Sequence, residues 1–489
     1  MALNSVHPLY AKHHEDWCLM RDVYRGERAV KEKRRTYLPA TSGMIADGVD
    51  VKGRPGYEAY QAYLTRAVFH DFVAEAVEAM IGMMHHKPPA IELPAALEPL
   101  RELATLNGES LAQLLRRINE AQLVTGRIGL LLDLPAEASL APRPYIATYK
   151  AEDILNWDDG RRDELTLQTL NLVVLNESEF ERQREFEWEL KEKYRVLMLG
   201  RPDENEPSAS GAVYRVGTFR DANTTFSEAA MRTPSIRGRS LERIPFTFIN
   251  SKDILPEPDG PPLLGLAKLA LAIYRGEADY RQTLFMQGQD TLVIVGGNAE
   301  DELRVGANAK INLPIGGDAK YIGVGHQGLA EQRQALENDK RQAATKGAQM
   351  IDTMSREKES GEALKVRVSA KTATLNDVAL AGAGGLQQLL RTAAEWMGAD
   401  PMQVVVTPNL DFSDDEMVAK DLVDLVSAKM MGAPISNRSI HLLMHKKGLT
   451  EMEYEDELAE IEQEEPLVEP AGTGAGGDPE EDEGDTQGA

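Results

Sequence analysis

The chain has 489 residues, 42% of them hydrophobic, with a single cysteine and a formal net charge of −25. That length supports about two to four domains with real cores; one cysteine, Cys18, excludes an internal disulfide and a thiolate zinc site, and the absence of any long apolar run or apolar leader excludes a membrane span and a secretory signal, leaving cytosolic synthesis as the expectation. Residues 451–489 hold sixteen Asp or Glu and no Lys or Arg, so the rest of the chain is only mildly acidic, near about −9, which argues against tight gripping of nucleic acid through its phosphates.

From His7 to Arg35 the pattern predicts a helix followed by a basic run, Arg25, Arg28, Lys31, Lys33, Arg34 and Arg35, interrupted by Glu27 and Glu32 and read as a solvated helix face. A glycine-rich loop leads to a periodic helix over 57–84, its apolar face begun by Tyr60, Leu64, Ala67, Val68 and Phe69. The pairs His13-His14 and His85-His86 are adjacent on helices and so point about 100° apart, which disfavours shared metal ligation. A helix over 110–124 stopped by Gly126 is followed by the strands "RIGLLLDLP" and "RPYIATY". Between Trp157 and Arg220, alternating runs separated by polar or Gly/Pro turns predict antiparallel hairpins, closed by "RIPFTFINS", which Pro245 assigns to a sheet edge. The fold class is therefore α+β.

Beyond "PEPDGPP" a helix is expected over 263–287, then a β-rich insert over 288–328, then a second helix over 329–352. Apolar side chains on that second helix recur every seven residues, at Leu329, Leu336, Ala343 and Met350. Such a narrow seam suits neighbouring helices better than a sheet. Identical neighbours in a ring would supply those helices, so these four residues are expected at an inter-subunit seam. Residues 353–371 read as a hydrophilic loop with a short alternating core, Leu364, Val366 and Val368. A helix from Asn376 through Trp396 follows, with a kink or close backbone contact expected at Gly382, Gly384 and Gly385. "SDDE" from Ser413 starts another helix, Ser436 caps a later one that Gly448 ends, and the acidic glycine-rich residues 464–489 are expected to be disordered.

One stretch invites an enzymatic interpretation. "YIGVGHQGLAEQRQAL" spells Gly-x-Gly-x-x-Gly with Gly323, Gly325 and Gly328 between a short strand and a helix. A dinucleotide fold, however, needs a helix with a broad apolar face against a parallel sheet, and a second strand bearing an acid about twenty residues on. The helix here is narrow-seamed and still helical where that strand should begin, so the glycines are assigned to a turn from strand into helix. No Gly-x-Ser-x-Gly or His-Glu-x-x-His is present, and no cofactor, metal or catalytic residue is expected.

The order of these parts resembles the portal, or head-to-tail connector, proteins of tailed bacteriophages, in particular the portal-like branch described as a phage domain of unknown function. The resemblance runs from "VYRGERAVKEKRRTYLP" through "VTGRIGLLLDLP", "IPFTFINS", "PPLLGLAKLALAIYRGEADYRQTLFMQGQDTLVIVGG" and "INLPIGGDAKYIGVG" to "WMGADP", "NLDFSDDEM" and "APISNRSIHLLMHKKG". It implies a non-enzymatic ring, usually of twelve subunits, at one capsid vertex of the virion. Terminase packages double-stranded DNA through that ring, the DNA later leaves by it, and the major capsid or scaffold protein and head-completion or neck adaptors bind it. Under the resemblance, 1–262 is an α/β wing with antiparallel hairpins, 263–287 and 329–352 are stem helices, and 288–328 is the clip. Residues 353–371 form the tunnel loop, with Arg356, Lys358, Lys365, Arg367 and Lys371 facing DNA; 372–410 are a kinked helix returning to the wing, and 411–463 a crown-side helical region. Gly323, Gly325 and Gly328 become the clip-to-stem turn. The alternatives are a dinucleotide-dependent enzyme and a phage scaffold or adaptor protein without a channel.

Overall fold

The structure, a computed structural model, describes residues 3–135, 143–158, 170–201, 211–220, 230–236, 238–288, 291–296, 315–322, 328–351 and 361–412, and after these 425–427, 429–432, 434–446, 450 and 452–461. At 291–292, 321–322, 348–351 and 361–372 it describes backbone only. The chain divides into two compact units, Met1–Phe412 and Ser413–Ala489.

The first unit opens with α1 (Pro8–Tyr24), where His7 Nδ1 accepts from the Leu9 amide at 3.2 Å and Pro8 fills a position that needs no donor. The expected long helix stops because Gly26 adopts φ +86°, and a Cβ there would meet Asp71 Oδ1 at 2.8 Å. The basic run continues as α2 (Glu27–Glu32) and a 3-10 turn. Its cations are largely paired, Lys31 with Glu27, Arg28 with Glu32, Lys33 with Asp22 and Arg35 with Asp50, as befits a solvated face. After α3 (Ser42–Ala46), the helix expected over 57–84 is two helices, α4 (Pro55–Arg66) and α5 (Phe72–Met84). The break at 67–71 lets Phe69 pack edge-on against Tyr274, ring centroids 5.9 Å apart.

Strand β1 (Ala90–Glu92) precedes α6 (Leu111–Thr125), which starts in a capping box of Ser110 with Gln113 and ends at left-handed Gly126. There follow β2 (Arg127–Asp133), β3 (Tyr145–Lys150), β4 (Ile154–Asp158), β5 (Leu172–Asn176), β6 (Glu179–Arg182), β7 (Trp188–Lys191), β8 (Tyr194–Gly200), β9 (Val213–Phe219), β10 (Ser235–Ile236), β11 (Arg239–Ser240) and β12 (Phe246–Asn250). Sheets form in the orders β12-β2-β3 and β4-β5-β8-β9, with separate hairpins β6-β7 and β10-β11, and every described pairing is antiparallel. The α+β expectation therefore holds, and β12 lies at a sheet edge just after Pro245.

The C-terminal part of the unit comprises α7 (Leu264–Gln287), β13 (Thr291–Val295), β14 (Asp318–Ile322), α8 (Leu329–Ile351), α9 (Gly361–Met397) and β15 (Val405–Thr407), which pairs with β1. Two hydrophobic cores organise the unit. One gathers both larger sheets, most of α6 and the later part of α9; the other gathers α2 to α5, α7, α8 and Leu375, Val378 and Ala379 of α9. Thus α9 passes from one core into the other.

Two sequence expectations change here. Residues 361–371 are helix and not loop, whereas 353–360 lie outside the described residues. The Leu364, Val366, Val368 alternation is overridden by a stretch rich in Ala, Lys and Arg with no Gly or Pro between Glu362 and Ala381. Nor do the mid-helix glycines interrupt α9. Gly382 and Gly385 mark the expected close contacts: a Cβ would meet Asn119 Nδ2 of α6 at 2.5 Å in one case and Ile249 Cγ1 of β12 at 2.4 Å in the other.

In the second unit, α10 (Asn437–Lys446) begins with Ser436 Oγ accepting from the Ser439 amide at 3.0 Å, and α11 (Tyr454–Ile461) follows. His441 of α10 lies 3.3 Å from Glu457 of α11.

Candidate functional site

The feature with functional potential is the pair α7 and α8, which flank the antiparallel pair β13-β14 in sequence. The inner half of α7 is core: Leu266, Ala267, Ala270, Leu271, Ile273, Tyr274 and Ala278 are buried. Its outer turns are not, and Leu284, Phe285 and Met286 are each at least 40% exposed. Contacts to α4 brace this outer half. Tyr63 donates to Asp279 Oδ1 at 2.5 Å, Arg66 donates to Gln282 Oε1 at 2.6 Å, and the same guanidinium lies 4.0 Å above the Phe285 ring.

Between the two helices lies a buried carboxylate. Glu277 of α7 accepts from Lys340 of α8 and from Arg281 at 2.8 Å, with His70 Nε2 at 3.4 Å. Burial pushes this acid up, but the hydrogen bonds from Lys340, Arg281 and His70 outweigh that and hold it below the ordinary carboxylate range. The group is a structural clamp: it joins α7, α8 and the α4–α5 junction through one charge. Sequence reasoning missed it, because Lys340 lies 63 positions away from Glu277.

The residues singled out from the sequence are placed as follows. Leu336 and Ala343 are buried, 7% and 0% exposed, within the second core of this same chain. A Cβ on Gly276 would lie 3.4 Å from Leu336 Cδ1, so α8 rests here on a bare stretch of α7. Leu336 and Ala343 of the expected inter-subunit seam are thus covered within one chain, where α8 packs on α5 and α7. Leu329 is half-buried at the start of α8, and the side chain of Met350 lies outside what is described. Gly328 has φ +91°, its carbonyl accepting from the Gln332 amide at 2.9 Å, which makes it the turn that opens α8. Gly323 and Gly325 lie outside the described residues, as do Arg356 and Lys358. Lys365, Arg367 and Lys371 fall on the first turns of α9, described there as backbone alone.

The strand before the glycines does not belong to a nucleotide fold. Among the described residues β14 pairs only with β13, antiparallel, from Thr291 opposite Ile322 to Val295 opposite Asp318. A parallel βαβ unit, on which pyrophosphate binding at such glycines depends, is not what precedes α8. Elsewhere His85 Nε2 lies 2.9 Å from Asn119 Oδ1 and His13 stacks on Trp17. Cys18 is half-buried, its Sγ 3.6 Å from His14 Nε2. No described group of three His, Cys, Asp or Glu is arranged to hold a metal ion, and no described helix is long and apolar enough to cross a membrane.

Comparison with known proteins adds the following. Residues 262–397, which contain α7, β13, β14, α8 and α9, match a family described as a domain of unknown function, DUF4055. No curated protein matches. The chain is similar to a chain in the neck of a native GTA particle computed with C12 symmetry, at 15% identity and TM-score 0.37 over 76% of this chain and 89% of that one. It is likewise similar to a chain in the virion of a native gene transfer agent particle, at 15% identity and TM-score 0.37 over 82% and 98%. These two likenesses are too slight to argue from.

Proposed function

We propose that the chain is a portal-like protein that assembles head to tail into a closed ring, a conduit for double-stranded DNA at one vertex of a phage-type capsid. One observation carries this: within its own chain α8 buries only Leu336, Ala343 and Gly347 among its described side chains. The other described side chains of this helix, about 35 Å long, are half-buried or exposed, beside an α7 tip that exposes Leu284, Phe285 and Met286. A braced, projecting helix pair with unused faces suits packing between identical neighbours in a ring. The order of segments that resembles portal proteins supports the same reading.

In this reading the β13-β14 hairpin, with Val295 56% exposed, is the clip where terminase and neck adaptors dock. Residues 353–371 approach the DNA, with Arg356, Lys358, Lys365, Arg367 and Lys371 as the phosphate-facing cations, now with 361–371 on a helix. The mildly acidic body suits a duplex that must slide, since every phosphate neutralised adds salt-dependent affinity and hence drag. Mass photometry of the purified chain across a range of concentrations tests the assembly: a discrete ring-sized species supports it, and a monomer at every concentration refutes it.

A further inference from the structure

Asn107-Gly108 is the one place in the chain where an asparagine precedes a glycine. A peptide nitrogen is a poor nucleophile because its lone pair is delocalised into the carbonyl. Once hydroxide removes its proton, it can attack the side-chain amide of the asparagine before it. A side chain on the attacking residue hinders that approach, and glycine has none.

The pair sits in a short turn between β1 and α6, and both residues are exposed. A Cβ on Gly108 would come near only Leu103 Cδ2, at 4.0 Å, so the position is open. The turn is held at its root. The Gly108 amide donates to the Thr105 carbonyl at 3.1 Å, and the Ala104 amide donates to the Glu109 carbonyl at 2.8 Å. The Thr105 hydroxyl accepts from the Glu109 amide at 3.3 Å and donates to Glu109 Oε2 at 3.2 Å, and Arg117 of α6 pairs with that same oxygen at 2.8 Å. The nitrogen that would attack is therefore the one engaged by Thr105, and reaction waits on local opening of the turn.

We propose that Asn107 is a site of spontaneous deamidation whose rate is set by the root of its turn, made by Thr105, Glu109 and Arg117. Hydroxide takes the Gly108 amide proton, and the nitrogen forms a bond to Asn107 Cγ. The side-chain nitrogen leaves as ammonia, taking a proton from water, and a cyclic imide remains. Water then opens one of the two C–N bonds of the imide, giving aspartate or isoaspartate, in which the chain runs through the side-chain carboxyl. The sum is asparagine and water to an acid and ammonia, with nothing oxidised or reduced. Either product places a new negative charge near Glu109, and isoaspartate also adds a backbone atom just before Ser110, the cap of α6. The proposal is independent of the ring reading.

The test incubates the folded full-length chain in mildly alkaline buffer made with heavy-oxygen water and follows its tryptic peptides by mass spectrometry. Peptide 102–116, in which Asn107 is the sole asparagine, is expected to gain one heavy oxygen at least tenfold faster than any other asparagine-bearing peptide. The product should be a mixture of aspartate and isoaspartate, and Asn107→Gln should abolish it. Arg117→Ala, shown to be folded by circular dichroism, should react severalfold faster than wild type, and the same peptide released by trypsin before incubation faster still. Peptide 102–116 reacting no faster than the others, or giving aspartate without isoaspartate, would overturn the site. A folded chain that reacts as fast as the released peptide, or a rate unchanged by Arg117→Ala, would overturn control by the root.

Discussion

Lys340 of α8 donates to the carboxylate of Glu277 on α7, whose side chain is 3% exposed. The clamp joins the two helices, and removing Glu277 leaves Lys340 and Arg281, 31% and 45% exposed, without their shared acceptor. Glu277→Ala should cost about 1–3 kcal/mol, measured by urea unfolding at neutral pH, and Glu277→Gln somewhat less because the amide oxygen still accepts. The pH dependence has a definite sign. The folded carboxyl sits below its ordinary value, so its stabilisation is complete above the unfolded value, about 4.3, and is lost as pH falls through the lower folded value. The stability gap between wild type and Glu277→Gln should therefore shrink in acid, and a gap unchanged from pH 7 to pH 3 would contradict the clamp.

The glycines of α9 make a paired prediction. A Cβ on Gly385 would meet Ile249 side-chain atoms at 2.4 and 2.5 Å, whereas one on Gly384 meets nothing within 4 Å. Gly385→Ala should destabilise by about 1–3 kcal/mol through overpacking, and Gly384→Ala should stabilise by up to about 1 kcal/mol through helix propensity. Thermal unfolding of the two variants distinguishes them by sign.

Leu336 lies in the core of its own chain, so its truncation acts on folding. Leu336→Ala should cost about 2–5 kcal/mol in a concentration-independent manner, and Leu336→Asp should abolish the folded monomer. A Leu336→Asp chain that folds normally but fails to assemble would return this residue to the interface between copies.

Arg127, wholly buried at the start of β2, has no hydrogen-bond partner on any guanidinium nitrogen and lies against the rings of Trp157 and Phe248, 4.5 and 4.2 Å from their centroids. Burial drives its pKa down to about 9, with Asp253 and Asp259 opposing. Desolvation of several kcal/mol exceeds the roughly 2 kcal/mol of a buried cation–π contact. Arg127→Met should therefore be neutral or stabilising and Arg127→Ala destabilising, read from urea midpoints; a methionine variant that loses more than about 2 kcal/mol would show that the cation–π contacts dominate.

How much of this was legible in the sequence depends on whether a feature is local. Helices α7 and α8 were, since prolines and glycines punctuate them: expected at 263–287 and 329–352, they run Leu264–Gln287 and Leu329–Ile351. The break at 67–71 was not, because Val68 and Phe69 continue a helical period and only Tyr274, some two hundred residues on, gives Phe69 a reason to leave it. Periodicity correctly required Leu336 and Ala343 to be covered but could not say by which chain. The cue was Gly276, a missing side chain on the facing helix. The aromatic face of β6-β7 was visible as alternation in "FEWEL", yet its exposure depends on where the larger sheets end.

The most direct measurement is negative-stain electron microscopy of the purified full-length chain at high concentration. Closed rings of uniform subunit number around an open central hole are the predicted result. A uniform population of compact monomers, or of small oligomers with no central hole, would contradict it.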